Sequence, residues 1–430
     1  MSGPEDAVIV GAGAAGLATA IFARRLNPAA RIVLVDGARA PGAKILVSGG
    51  SRCNVTNTVV TESDFNGGRP AIIRRVLRRL PVPDTIEFFQ ELGLPLHEEP
   101  LGKLFPDSHR SRDVLDALLA EAARRGVSPR PAHRVSEIGR EGGHFRITTA
   151  AGPLHARAVV LATGGLSLPK TGSDGWGYQA AVGLGHSIVP TTPALAPLVL
   201  DPNGEGAIHA GVSGVALPVR IDVRVDGRVT TRVTGSLLWT HFGVSGPAAL
   251  DASRHWLRAR LERRAVSLSV SFCPDDWFES LDAAFLALAG SRPRLTLQGA
   301  VADRVPASIA SAVLAHLRLD ATGTLAAMTR DTRHRLTRAL LEWPLPVGDS
   351  RGYNYAEVTA GGIPLTEVDS ATMESRRCTG LFLVGEILDV DGRIGGFNFQ
   401  WAWCTGRIAG EALAERAVRG LRVLDEGAGR

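Results

Sequence analysis

The chain has 430 residues, 45% hydrophobic and 21% charged, with a formal net charge of +5. That length exceeds one hydrophobic core, so two or three structural units are expected, one of them inserted into another. No run of about 18 apolar residues is available to span a bilayer, and the four cysteines, Cys53, Cys273, Cys378 and Cys404, form no CxxC pair. This argues against a disulfide framework, a structural zinc site and a dithiol redox centre, and no metal is expected.

The start, Met1 to Asp6, is short and acidic and leads directly into an apolar run, without the basic region of a signal peptide, so a cytoplasmic protein is expected. A sequence pI near 9.4 raises nucleic acid as a partner. The basic residues are spread along the chain rather than clustered, so neither a nucleic-acid nor a membrane surface is expected. Among the 48 basic residues only Lys44, Lys103 and Lys170 are lysines, and all three fall in Gly/Pro/Ser-rich stretches.

Residues Ala7 to Val10 read as a buried strand, followed at once by Gly11-Ala12-Gly13-Ala14-Ala15-Gly16. Gly11 permits the tight turn, Gly13 lets backbone approach a pyrophosphate, and Gly16 lets the helix pack closely on the strand. A helix over Leu17 to Leu26 then points its first N–H groups, with those of Ala14 and Ala15, at the phosphates. A second strand, Arg31 to Val35, ends in Asp36, a carboxylate placed to accept from a ribose 2′-OH. The fingerprint fits FAD and NAD equally. No second GxGxxG follows a later strand, so there is one dinucleotide site.

A loop follows from Pro41 to Asn57, dense in small, polar and basic groups. Lys44 and Arg52 offer positive charge, Ser48 and Gly49 offer polar and backbone contacts, and Asn54 offers an amide to flavin carbonyls. The stretch GAKILVSGGSRCNVTN resembles the signature of the HI0933-like flavoproteins, the family of the bile-acid flavin reductases and aminoacetone-oxidase-type enzymes. The resemblance implies FAD, a two-part FAD domain and an inserted domain. Cys53 beside Arg52 is a weak catalytic candidate, as a low-pKa thiolate; a packed residue under the cofactor is the favoured reading.

Ala71 to Leu94 reads as mixed helix, and Arg112 to Arg125 as an amphipathic helix. Pro131 to Ile147 reads as strand and turn, where related flavoproteins place backbone at the position of Val135 against adenine. Ala158 to Gly165 is a strand ending in ATGG, resembling the returning strand of FAD domains, with Thr163 and Gly164 near the pyrophosphate or ribose. From Thr191 short alternating segments indicate antiparallel β structure, followed by a helical stretch at about 275–330. His241, in a Gly-rich loop, is the second weak catalytic candidate.

The last segment carries the strand Gly380 to Glu386 and a helix opening at Gly395-Gly396-Phe397. GEILDVDGRIGGFNFQWAW closely resembles the family's C-terminal motif, which assigns Gly385, Glu386, Asp389, Gly396, Asn398 and Phe399 to the cofactor. The helix N-terminus would face N1 and O2 of the isoalloxazine. Trp401 and Trp403 are read as core.

The expected fold is α/β: a discontinuous Rossmann-type FAD domain of residues 1–190 and 348–430, with a β-barrel-like and helical domain inserted at 191–347 over the substrate cleft. The expected function is hydride transfer between flavin N5 and a small organic substrate, with dissociable NAD(P)H or O2 as the other partner. The alternative is an RNA-associated flavoprotein related to FAD-dependent tRNA-modifying enzymes.

Overall fold

The computed structural model describes residues 3–428; Met1 and Ser2 of the acidic start lie outside them. The chain divides into two compact units, one formed by the residues up to Thr191 together with those from Glu357 on, the other by Thr192–Ala356.

The first unit is built on the strand Glu5–Val10, whose residues Ala7 to Ile9 have no exposed surface. An unbroken apolar run suits a strand covered on both faces, as parallel sheets are. It pairs in parallel with Ile32–Val35 on one side and with the second half of Gly152–Leu161 on the other. That long strand carries two further partners: its last residues pair in parallel with Leu381–Leu383, and its first half forms an antiparallel ladder with His144–Thr149, which pairs with Val135–Glu141. A strand more than two hundred residues downstream is thereby drawn into the N-terminal sheet.

The glycine fingerprint opens the helix Ala14–Leu26, and the C-terminal helix Phe397–Ala428 lies directly on it. Glycine inside a helix ordinarily costs about 1 kcal/mol relative to alanine, yet the C-terminal helix carries Gly406 and Gly410 one turn apart. A Cβ at Gly406 would stand 2.7 Å from the Ala15 carbonyl oxygen, and one at Gly410 would stand 2.7 Å from that of Thr19 and 2.8 Å from the Ala23 nitrogen. The helices therefore meet backbone to backbone, facing Ala15, Ala18, Thr19 and Ala23, which have small side chains.

The second unit is a seven-stranded sheet in the order Trp343–Leu345, Val266–Ser271, Ala216–Val225, Arg228–Thr240, Gly243–Ser245, Leu198–Leu200, Val347–Ser350. The helix Pro247–Leu261 packs on its central strands, and the helices Phe278–Ser291, Leu297–Ala302, Ala307–His316 and Arg330–Leu341 complete the core with Trp239, Phe285 and Trp343. The barrel-like expectation is corrected here. Among the described residues the sheet is open, since its two outermost strands pair only inward. The unit also runs past residue 347: Val347–Ser350 continues the sheet by pairing with Leu198–Leu200.

Gly410→Val is expected to cost about 3 kcal/mol or more, because the clashing atoms are backbone and cannot step aside. Gly290, whose added Cβ would meet nothing within 4 Å, supplies the contrast: Gly290→Ala should leave stability unchanged or raise it by up to about 1 kcal/mol. Urea unfolding followed by circular dichroism measures both.

Candidate cofactor site

The fingerprint turn stands where three segments end. Gly11, at φ +106°, passes so near the returning strand that a Cβ there would collide with the Ala162 carbonyl, with Thr163 Cα 3.3 Å away. In front of Gly13 a Cβ would meet nothing within 4 Å. The helix after it begins without a side-chain cap and without an acidic residue in its first turn. Its first N–H groups, positive by orientation, thus face open space of the kind a pyrophosphate fills.

Asp36 ends the second strand and takes 2.7 and 2.8 Å hydrogen bonds from the backbone nitrogens of Ala12 and Ala38. It is thereby locked beside the glycine turn. Next to it, Gly37 packs against Arg134, 3.0 Å from the Arg134 side chain to a hypothetical Cβ, which brings the 134–135 segment to the end of the second strand. Val135 itself is buried, with its backbone in register with Thr149.

The stretch after Asp36 is not simply a loop. Ala43–Ser51 is a helical turn broken at Ser48 (ψ 151°) and at Gly49 and Gly50, both with positive φ. Ser48 Oγ donates to the Ile45 carbonyl, 2.7 Å, and the Ser48 carbonyl accepts from Cys53 N, 3.1 Å. This interruption buries Asn54, whose Oδ1 has no hydrogen-bond partner. A buried acceptor without a donor is costly, and a flavin ring N–H is a donor of the required kind.

From the other end of the chain, Gly385 reaches the fingerprint helix. With φ +75°, it is so close to Ala15 that a Cβ would fall 2.9 Å from the Ala15 Cβ. Thr405 Oγ1 accepts from Gly385 N, 3.0 Å, and Trp401 Nε1 donates to its carbonyl, 3.3 Å. Glu386 follows and ties four segments together. Lys44 Nζ pairs with its Oε2; Ser167 Oγ, at 2.7 Å, and Thr359 N, at 2.9 Å, donate to its Oε1; and Lys44 Nζ also donates to Ser167 Oγ, 2.6 Å. Lys44 and Glu386, both expected to face the cofactor, hold each other across 342 positions.

Several other residues expected at the cofactor are engaged elsewhere. Arg52 pairs with Glu99 at 2.5 Å and lies 4.2 Å from the centroid of the Phe105 ring. Both amide atoms of Asn398 are spent on the Gly392 backbone, at 2.8 and 2.9 Å. Phe399 stacks on Trp403, ring centroids 5.6 Å apart. Gly396 lies against the Thr56 carbonyl, and the Asp389 backbone accepts from Gly68 and donates to Ile363. Gly164 fits beside Ser173.

Neither catalytic candidate gains support. Cys53 has no exposed surface, and burial pushes its thiol up to about 12 despite the hydrogen bond with Ser48. It is a neutral thiol at physiological pH, so the thiolate role is corrected. His241 is exposed in the second unit, edge-on to Phe242.

Sequence reasoning missed Ser167, Thr359 and Glu357. Glu357 is exposed at the surface, yet desolvation by the protein around its carboxyl raises it above the usual range, against the pull of Lys44 and Lys103. The scarcity of lysine was a signal for this: two of the three lysines act electrostatically on this one carboxylate, whereas Lys170 is exposed.

The open space before Gly13, the uncapped helix and the orphaned Asn54 oxygen all fit FAD. The chain matches the HI0933-like protein Rossmann domain over residues 5–412. It is 33% identical over 412 residues to the 3-dehydro-bile acid delta(4,6)-reductase of Clostridium scindens, covering 95% of this chain and 98% of that protein. It is 32% identical over 398 residues to the ribosomal RNA dihydrouridine synthase of Escherichia coli K12 (93% and 95%), and 30% identical to the protein of the same name from Haemophilus influenzae (94% and 97%). Among solved structures, the E. coli quinol fumarate reductase subunit FrdA aligns with 99% of this chain and 73% of its own at a TM-score of 0.51, with 19% identity, which speaks to the fold alone. No helix among the described residues is long and apolar enough to cross a membrane. The chain belongs to the HI0933-like family of Rossmann-type, FAD-dependent oxidoreductases.

Proposed function

We propose that this enzyme saturates a carbon–carbon double bond conjugated to a carbonyl in a small organic substrate, drawing its reducing equivalents from dissociable NAD(P)H. The observation that carries the reading is a shared chemistry. The relatives at 33% and 32% identity are named for reducing a conjugated steroid and for forming dihydrouridine. Both names denote hydrogenation of an alkene polarised by a neighbouring carbonyl. FAD, when bound, supplies the hydride for the electron-poor carbon of such an alkene.

The chain's own residues bind, orient and handle the proton. The turn from Gly11 to Gly16 and Asp36 would hold the ADP half of FAD, and the unpartnered Asn54 Oδ1 would accept from a ring N–H. The Lys44–Glu386–Ser167 network fixes the segments around them and brings Lys44 towards Glu357. Reduction of an enone also needs a proton for the carbon next to the carbonyl. Glu357 is the candidate donor, because it is exposed and desolvation around its carboxyl keeps it protonated to higher pH than an ordinary glutamate. A thiol held near 12 at Cys53 offers no competing nucleophile.

A second reading has its own support. Two relatives, from E. coli and H. influenzae, are named for a ribosomal RNA product. In that reading the reduced alkene belongs to a uracil in RNA.

Three outcomes test these statements. Anaerobic stopped-flow mixing should show rapid bleaching by NADH or NADPH, then recolouring by a 3-oxo-Δ4 steroid rather than by a uridine-containing ribosomal RNA fragment. Recolouring by the RNA alone selects the second reading, and fast recolouring only by O2 overturns both. Asp36→Ala should weaken FAD binding roughly 10- to 100-fold, the value of about 1.5–3 kcal/mol for a charge-assisted hydrogen bond; fluorescence titration of the apoprotein reads this directly. Glu357→Gln should slow reoxidation by the acceptor roughly 100-fold or more and leave reduction by NAD(P)H unchanged. In the unaltered enzyme the acceptor step should be fast at low pH and fall as pH rises through the raised Glu357 value.

A further inference from the structure

Away from the fingerprint, the hairpin Leu96–Glu99 and Lys103–Pro106 gathers a second set of titratable side chains. His97 and Glu99 are two residues apart on one strand and so share a face. After the return strand, a turn closed by His109 N donating to the Pro106 carbonyl, 2.8 Å, brings His109 back over them. Its backbone adopts a left-handed conformation there, φ +53°. The two imidazoles stand edge to face with centroids 4.5 Å apart. His97 Nε2 lies 3.6 Å, and His109 Nδ1 3.8 Å, from Glu99 Oε1, and one donor atom from each of the three residues lies within 4.8 Å of the others.

Two features separate this cluster from an incidental group of polar residues. His97 Nε2 is buried and has no hydrogen-bond partner, although it points at the group. Its other ring nitrogen, Nδ1, is 3.1 Å from Asp107 Oδ1. A carboxylate on the far nitrogen fixes the tautomer so that the near nitrogen presents its lone pair, which is the arrangement found behind metal-bound histidines.

We infer that His97, Glu99 and His109 form a binding site for a divalent transition metal of the zinc class, oriented by Asp107 and open at a fourth position. Two imidazoles and one carboxylate select Zn2+, Co2+ or Ni2+ over Mg2+ and Ca2+. In a tetrahedral site with ligand bonds of about 2.0–2.2 Å, donor atoms stand roughly 3.3 Å apart. The donors here need to close by a few tenths of an ångström to about 1.5 Å, and all three side chains keep exposed surface that lets them move. Arg52 is the opposing term: its guanidinium already occupies Glu99 Oε1, so a metal must share or displace it. That lowers affinity without forbidding binding, because the Phe105 ring still supports the displaced guanidinium. The site is independent of the reductase reading.

The test uses the full-length flavoprotein, stripped with chelator and titrated with Zn2+ or Co2+ alone. One equivalent should bind, with Co2+ giving the visible bands of a low-coordinate site at wavelengths beyond the flavin's. His97→Ala and His109→Ala should each weaken binding at least tenfold, and Asp107→Asn about tenfold, with circular dichroism unchanged. Lack of stoichiometric binding overturns the inference, as does equal affinity in the two histidine variants. A variant that fails to fold leaves Asp107→Asn, in which the three ligands are intact, to decide the matter: unchanged affinity there contradicts the orienting role on which the site rests.

Discussion

The first unit depends on two helices from opposite ends of the chain lying close enough for their backbones to touch. Gly406 and Gly410 meet the carbonyls of Ala15 and Thr19, and that approach sets where every residue just before the C-terminal helix can be. Gly385 is then pressed against Ala15, and Leu381–Leu383 is aligned with the end of Gly152–Leu161. The cofactor site is thus shaped by a packing constraint some twenty residues from its own polar groups. The first unit tolerates a 165-residue insertion between Thr191 and Glu357 because both its parts are clamped in this way.

Upon that frame the polar groups sort into two kinds. Asp36 and the fingerprint turn are held by backbone hydrogen bonds and keep capacity for a ligand. Lys44, Glu386, Ser167 and Thr359 satisfy one another, so their contribution is to fix four chain segments at mutual distances of 2.6–2.9 Å. A partly buried ion pair such as Lys44–Glu386 stabilises little on balance once desolvation is counted, but one that joins distant segments specifies their arrangement. Cys53 belongs to neither kind: it is a packed apolar group whose burial supports the turn that buries Asn54.

Much of this was legible in the sequence, for reasons that differ by residue. Ala7 to Val10, the glycines after it and Asp36 are fixed by local geometry, so their type and spacing reveal both fold and ligand. The GGFNFQW helix start and the LFLVGE strand were legible as elements for the same reason. Partner choice across the chain was not. Lys44 and Glu386 each resemble a cofactor ligand when read alone, and only the folded arrangement shows them facing each other; Arg52 and Glu99 repeat the case. Alternating antiparallel segments look alike in a barrel and in an open sheet, since closure depends on pairing between the outermost strands, and the inserted sheet is open. The contact through Gly406 and Gly410 left a visible trace, a pair of glycines at helical spacing, that conflicts with helix propensity and for that reason marks a close approach.

The same distinction applies to the metal cluster and to Glu357. Both consist of residues whose types are common on surfaces, and both become informative through what surrounds them: an unpartnered imidazole nitrogen in one, a carboxyl whose ionisation burial opposes in the other. The central claim, however, is that this arrangement holds FAD at one site assembled from both ends of the chain. Its most direct measurement is the flavin content of the purified protein after denaturation. The account predicts about one FAD per chain, a yellow protein, and reversible uptake of FAD in preference to FMN by the stripped form. A colourless protein that takes up no FAD, or one that binds FMN equally well and so ignores the ADP half, would contradict it.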